Sequence, residues 1–433
     1  MSMIYSLYLP GDNLVSVAPS TLRDSALNKL NQIGQADLVI GLPTHLVRPK
    51  IALHVARQAL AGAKTFFPHL RTVLIHVDTG ANRQTRQAIQ TAISAKMPVI
   101  SGRYTGVLGR GSAVSAIFHA ALQLQAQAII VLDSRTQTIR PGWIPGLATF
   151  ILRNQADLVK PRYNRPLLDN ALSDLLYYPF TRSIWGVNLQ QPNAKDYAIS
   201  PTLARAALKQ DVWETEVSRA GFDIWLSTFA AANNWRLAQA ALGTKRYHYR
   251  KHLSQTLTSF RESIGVMLRQ LHINRQKWPA ITCVQPLPTL TEFAANTERL
   301  PPACYDPLDD IEALALGWME YRLLWQKILL PENLAEIESL AAQPLEQFYF
   351  PADLWARVVY DYGVVYNKGE LDPDTIVDSL YPLFLGRLAG FWPEVDGLTD
   401  VGRAGTISAQ GVEFEENKAY LQERWRSYTP STK

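Results

Sequence analysis

The sequence predicts an α/β protein: a doubly wound parallel sheet followed by a helical C-terminal region. Three observations carry this. From Asp37 to about Leu242, short β-rich runs alternate with segments of helical apolar spacing, an order that implies βαβ units and a parallel sheet. Polar or special residues follow three of the strands directly. From Asp306 to Trp425 the chain keeps a helical period with aromatic residues on it, and no strand pattern returns.

Taken in order, Leu38–Leu42, Thr72–Val77, Ala128–Leu132 and Asp157–Val159 read as buried strands. Between them Ile51–Ala61, Gln84–Ser94 and Ser112–Gln125 repeat apolar residues at helical spacing. Ligands of such sheets bind outside the carboxyl ends of the strands. Pro43-Thr44-His45, Asp78-Thr79-Gly80 and Asp133-Ser134-Arg135 stand there and share one expected crevice. His252 to Leu271 is an amphipathic, basic helix, and Trp278 to Pro302, broken by prolines, is a linker. Farther on, Trp318, Tyr321, Trp325, Trp355, Tyr360 and Tyr362 recur at helix spacing, which for such side chains means core packing. The expected division is an N-terminal extension (1–36), a sheet domain (37–271), a Pro-rich linker (272–305) and a helical domain (306–433).

Composition narrows the function. A chain of 433 residues has room for two cores, and 47% hydrophobic with 19% charged residues describes a folded chain. A net charge of +5 suits an anionic substrate without requiring nucleic acid. No apolar run reaches the roughly 18–20 residues that span a bilayer, and Met1 to Gly11 lacks a signal-peptide pattern. With only Cys283 and Cys304 there is neither a disulfide framework nor a zinc spacing, so a reducing cytoplasm is the expected location.

Several residues have the chemistry of a phosphate and sugar site. Gly109-Arg110-Gly111-Ser112 precedes a helix, where backbone amides face anions, and Arg110 adds a cation. The loop also reads as a structural turn, and no dinucleotide fingerprint completes it. Asp133 ends an apolar strand. Asp196 lies in a strand-like run, where a carboxylate needs a partner or a role. Asp223 opens an apolar helix and reads equally as a helix-terminus partner. Lys245-Arg246-Tyr247-His248 and Arg250-Lys251 form a basic cluster, either solvated or closed on a diphosphate.

These residues, in this order, resemble the retaining GT-A glycosyltransferases that make mannosylglycerate and glucosylglycerate. Val39-Ile-Gly-Leu-Pro43 is similar to that family's first strand, Ile75-His-Val-Asp78 to its second, and Gly109-Arg-Gly111 to its glycine-basic-glycine loop. Leu132-Asp-Ser-Arg135 through Trp143 resembles the metal-site strand and the helix after it. The segment from Tyr178 to Gly186, then Gln191-Pro192, Asp196-Tyr197, Asp223-Ile-Trp225 and Leu242-Gly-Thr-Lys245, follows in register. The helical tail is similar too, in Leu354 to Asp361, Leu383 to Arg387 and Tyr420 to Trp425.

The resemblance implies a GT-A sheet domain with an all-α C-terminal domain. It implies transfer of a hexose, with retention, from a nucleoside-diphosphate sugar to glycerate or a related small acid or polyol. Pro43, Asp78, Arg110, Gly111, Asp133, Arg135 and Lys245 would bind the donor, Arg165 and Gln191 the acceptor, and Asp223 and Asp196 would be catalytic. A Mg²⁺ or Mn²⁺ ion would fall on Asp133 and His248. Four departures matter. Where the family's first strand leads into a polar turn with an acidic residue, this chain has Thr44-His45-Leu46. The family's Asp-x-Asp is here Asp133-Ser134-Arg135. Its paired glycines are Ala194-Lys195. Its metal-binding histidine position holds Tyr247, with His248 one place late. Arg135, helped by Lys245 or Arg246, is then a candidate to replace the ion. Two other classes stay open: a degenerate relative that binds a ligand or protein without turnover, and an assembly protein using its helical domain. The apolar faces of that domain fit either a core or a homodimer contact.

Overall fold

The computed structural model describes residues 21–45, 47–78, 83–94, 96–247, 253–293 and 305–429. The expected His248, Thr79-Gly80, Arg250-Lys251 and Cys304 lie outside them. The architecture is of the expected α/β class, a mostly parallel sheet between helices with an all-α C-terminal region.

The first half runs α1 (Asp24–Ile33), β1 (Leu38–Thr44), α2 (Pro49–Phe66), β2 (Thr72–Asp78), α3 (Arg83–Ile93), β3 (Val99–Gly102), α4 (Arg110–Gln123), β4 (Ala128–Val131), α5 (Trp143–Leu152) and β5 (Leu158–Asn164). Then come α6 (Leu167–Leu172), a π-helical turn at Ser173–Tyr177, α7 (Tyr178–Trp185), β6 (Tyr197–Ile199), α8 (Pro201–Leu208), α9 (Phe222–Ala232), β7 (Leu237–Thr244), α10 (Leu253–Ile273) and β8 (Thr289–Leu290). The C-terminal helices are α11 (Leu308–Ile328), α12 (Pro331–Ala341), α13 (Ala352–Lys368), α14 (Pro373–Val395), α15 (Asp400–Glu416) and α16 (Lys418–Ser427).

Among the described residues eight strands stand in one sheet, in the order β3-β2-β1-β4-β6-β5-β7-β8. Only β6 runs against its neighbours β4 and β5. Alternation along each strand feeds two cores. Leu38, Ile40 and Leu42 pack with α2 and α5 on one face. Val39, Val73, Ile75 and Val77 face α4, and that second core continues without a break into α13 and α14. The helical region is therefore anchored to the sheet half. Trp355 Nε1 donates to Leu175 O at 2.6 Å, Tyr360 shares a 2.8 Å hydroxyl bond with Ser183, and Gln410 Nε2 donates to Asp174 O at 2.8 Å. Trp325, Trp355, Tyr360 and Tyr362 are buried core side chains.

Other segments add to the sequence reading. Within 1–36, α1 packs its Ala26 and Leu30 into the core, and Leu22 bridges to Tyr104. Within the stretch read as a linker, Trp278 is buried and β8 pairs in parallel with β7. Strand β5 runs past Val159 through Lys160-Pro161-Arg162. Pro161 is tolerated there because β6 pairs β5 only at Leu158 and Val159, so the missing N–H removes no ladder bond to β6. Among the described residues no helix is long and apolar enough to cross a membrane.

Candidate functional site

The carboxyl ends of β4, β5 and β7 converge with the amino end of the reversed strand β6. Each contributes charged side chains: Asp133 and Arg135 after β4, Arg165 after β5, Lys195 and Asp196 before β6, Lys245 after β7. Crossing the sheet there is one buried ionic chain. Asp196, 0% exposed, accepts the Asp133 backbone N–H at 2.7 Å on Oδ1, and the Tyr163 hydroxyl at 2.9 Å on Oδ2. Its Oδ2 also takes the Lys245 ammonium, which is 2% exposed. Lys245 Nζ then lies 3.9 Å from Asp133 Oδ2, and Arg135 Nε 3.4 Å from Asp133 Oδ1.

Burial opposes the charged form of Asp133, but Arg135, Lys245, Lys195 and Arg110 outweigh it and hold the carboxyl well below its ordinary range. Burial likewise works against the Lys245 ammonium, and Asp196, Tyr247 and Asp133 overcome it, so its pKa is raised. Tyr247 is the hub of the cations. Lys245 Nζ lies 5.0 Å, and the Arg165 and Arg135 guanidinium carbons 5.3 and 5.4 Å, from its ring centroid, within cation–π range.

A second pair supports the floor. Arg110 grips Asp223 with two nitrogens, at 2.6 and 3.1 Å, and donates to Lys195 O at 2.5 Å. Gly109 and Gly111 make this approach possible: a methyl on Gly111 would meet Val217 O at 1.9 Å. The Gly111 amide donates to Arg219 O at 3.2 Å, so it is already engaged within the fold and the glycine serves close packing.

Next to these groups is a cavity of about 420 Å³, which Asp133, Asp196 and Arg110 themselves do not line. Arg135, Arg165, Lys195, Lys245, Asp223, Tyr163 and Tyr247 line it, together with Leu168 and Leu172 of α6 and Tyr381, Phe384, Leu385 and Leu388 of α14. Other expected site residues do not line it. Asp78 is 3.4 Å from Arg86 of α3. Pro43 is linked to the site through its carbonyl, which accepts from Ser134 Oγ at 2.9 Å. Gln191 is buried and donates to Tyr163 O at 3.0 Å.

The described residues, which leave out the expected ligand His248, hold no complete divalent-ion site. Among those described, no group of three or more His, Cys, Asp or Glu side chains converges as a metal site would. Asp133 Oδ2 is buried and accepts no hydrogen bond from them. One such oxygen beside two cations offers an ion little attraction.

Two residues of this region are absent from the sequence reading. Lys160, 0% exposed in β5, donates to Ala194 O at 2.8 Å and lies 4.7 Å from the Tyr197 ring centroid. Burial brings its ammonium down to about 7. A lysine inside an apolar strand was the available signal. The other is Asp174, buried in the π-helical turn, where Asn170 donates to it at 2.5 Å and Arg165 in turn donates to Asn170 at 3.1 Å. Burial raises the Asp174 carboxyl from 3.8 to about 7, only partly offset by Asn170, Arg165 and Arg403. The folded chain therefore keeps a proton that the unfolded chain gives up above about pH 4. From Asp174 alone, stability falls as pH climbs from about 4 to about 7, by up to roughly 4 kcal/mol. Urea unfolding across that window should show Asp174→Asn losing less stability than the native chain. Parallel profiles would refute the assignment.

No family model matches the chain, and no curated protein matches it. Among solved structures it is similar to glucosyl-3-phosphoglycerate synthase from Mycobacterium tuberculosis. With the complex of that protein with Mn²⁺, uridine diphosphate and glucosyl-3-phosphoglycerate, identity is 18% over 57% of this chain and 84% of that one, with a TM-score of 0.40. With its phosphoglyceric acid complex, identity is 18% over 59% and 88%, with a TM-score of 0.42.

Proposed function

We propose that this chain is a glycosyltransferase that moves a hexosyl group, with retention, from a nucleoside-diphosphate sugar to a small acidic acceptor, and that side-chain cations carry the charge of the departing diphosphate. The observation that supports it most is the set of four cations, Arg135, Arg165, Lys195 and Lys245, on one cavity at the strand ends. Guanidinium groups bind phosphate oxygens in pairs, and their value rises where water is excluded. In this reading Arg135 occupies the functional place of the second metal-binding carboxylate, and Asp133 holds that guanidinium in position.

The acceptor oxygen bonds to the anomeric carbon on the face the diphosphate leaves. The bond from that carbon to the diphosphate oxygen breaks with its electron pair on the diphosphate, which takes the acceptor's hydroxyl proton. Asp223 lines the cavity and is proposed to accept a sugar or acceptor hydroxyl bond. Asp196 acts on Lys245 and on the Asp133 backbone, as a positioning residue. Arg165 is proposed to meet the acid of the acceptor.

Calorimetric titration of uridine diphosphate and uridine-diphosphate glucose, with Mn²⁺ and with a chelator, tests the reading. Affinities agreeing within about threefold are expected. Binding that vanishes with the chelator would defeat the cation assignment, and no binding under either condition would defeat the transferase.

A further inference from the structure

The cavity has more apolar lining than a sugar and a three-carbon acid would use. Besides the cations and polar side chains such as Asn193, Ser259 and Ser263, its lining holds an apolar stretch from α6, α9 and α14, with Leu172, Leu385 and Leu388 in it. Leu168, Leu172 and Leu385 are only partly buried although they adjoin a packed helix interface. A polyol lying on such carbons would leave hydroxyls without partners, at a cost for each buried one. An apolar body would instead remove both its own surface and theirs from water. The volume, about 420 Å³, falls in the range of about 300–1,000 Å³ typical of sites that enclose drug-sized ligands.

The polar side of the cavity is equally specific. Arg165 lines it, and its buried Nε has no hydrogen-bond partner among the described residues. A guanidinium with an unmet buried donor calls for an acceptor atom, and a carboxylate or phosphate supplies two in the right plane. Resting on the transferase reading above, we infer that the second substrate is an amphipathic acid: a carboxylate or phosphate held by Arg165, joined to an aromatic or branched aliphatic body lying on Leu172 and Leu385. Glycerate has the acid and lacks the body.

Phenyl phosphate and inorganic phosphate, titrated separately into the full chain, test this without requiring turnover. Phenyl phosphate is expected to bind about tenfold or more tightly, from the ring area removed from water. In Leu385→Ser that ratio should fall toward one while inorganic phosphate binds as before. Leu172→Ser, at a second partly buried position, serves if the first variant does not fold. Equal affinities in the native chain, or a preference that survives both substitutions, overturns the proposal. Uridine diphosphate titrated in parallel separates the two claims: a chain that prefers phenyl phosphate and ignores the nucleotide upholds the amphipathic cavity and removes the transferase alone.

Discussion

Asp196→Ala should destabilise the chain by about 3–5 kcal/mol, the cost of leaving a buried charge without its partner. The carboxylate is wholly buried and carries the Asp133 amide, the Tyr163 hydroxyl and the Lys245 ammonium. Removing it strands an ammonium that is only 2% exposed. Asp196→Asn offers no rescue, because its amide nitrogen would be a donor facing donors. Tyr163→Phe removes one bond of the set and should cost only about 1 kcal/mol. Urea unfolding ranks the three variants. If Asp196→Ala unfolds within 1 kcal/mol (about the ordinary cost of a point substitution) of the native chain, Asp196 is not the anchor of this site.

The second large effect concerns ligand rather than fold. Arg135→Ala should weaken uridine diphosphate binding by about 10- to 100-fold, the scale of lost charge-assisted hydrogen bonds. Arg135 lies on a turn, touches Asp133 and Tyr247, and lines the cavity. Arg135→Lys should recover only part of the loss, since an ammonium cannot bridge two phosphate oxygens in a plane. Calorimetry at fixed salt measures both. Unchanged affinity in Arg135→Ala would remove the idea that this guanidinium stands in for an ion.

The parts of the fold that could be read in advance are those whose residues have one physical explanation. The near-continuous apolar runs of β1, β2 and β4 fit only strands buried on both faces. β3 and β6, four and three residues long, are too short for any period to show. The second half of β5 lies beyond the expected strand Asp157–Val159, because Lys160-Pro161-Arg162 carries no strand pattern, and the short reach of β6 accommodates the proline. In the site, Asp133, Arg135, Arg110, Asp223, Asp196 and Lys245 do come together. Which of them face a cavity and which hold others in place could not be read from spacing, because it depends on long-range partners. Asp196 and Gln191 are buried in the structure, Gly111 is engaged with Arg219, and Tyr247, noted as an empty metal position, is the ring on which three cations gather.

The short pairing of β8 alongside β7 has a practical side. A shortened chain ending after α10 would leave the outer backbone groups of β7 open, an invitation for other chains to add strands. It would also strip α13 and α14 from the core they share with the sheet. Such a fragment should precipitate rather than yield a working half, so a protease cut between residues 273 and 289 ought to leave two pieces that stay associated.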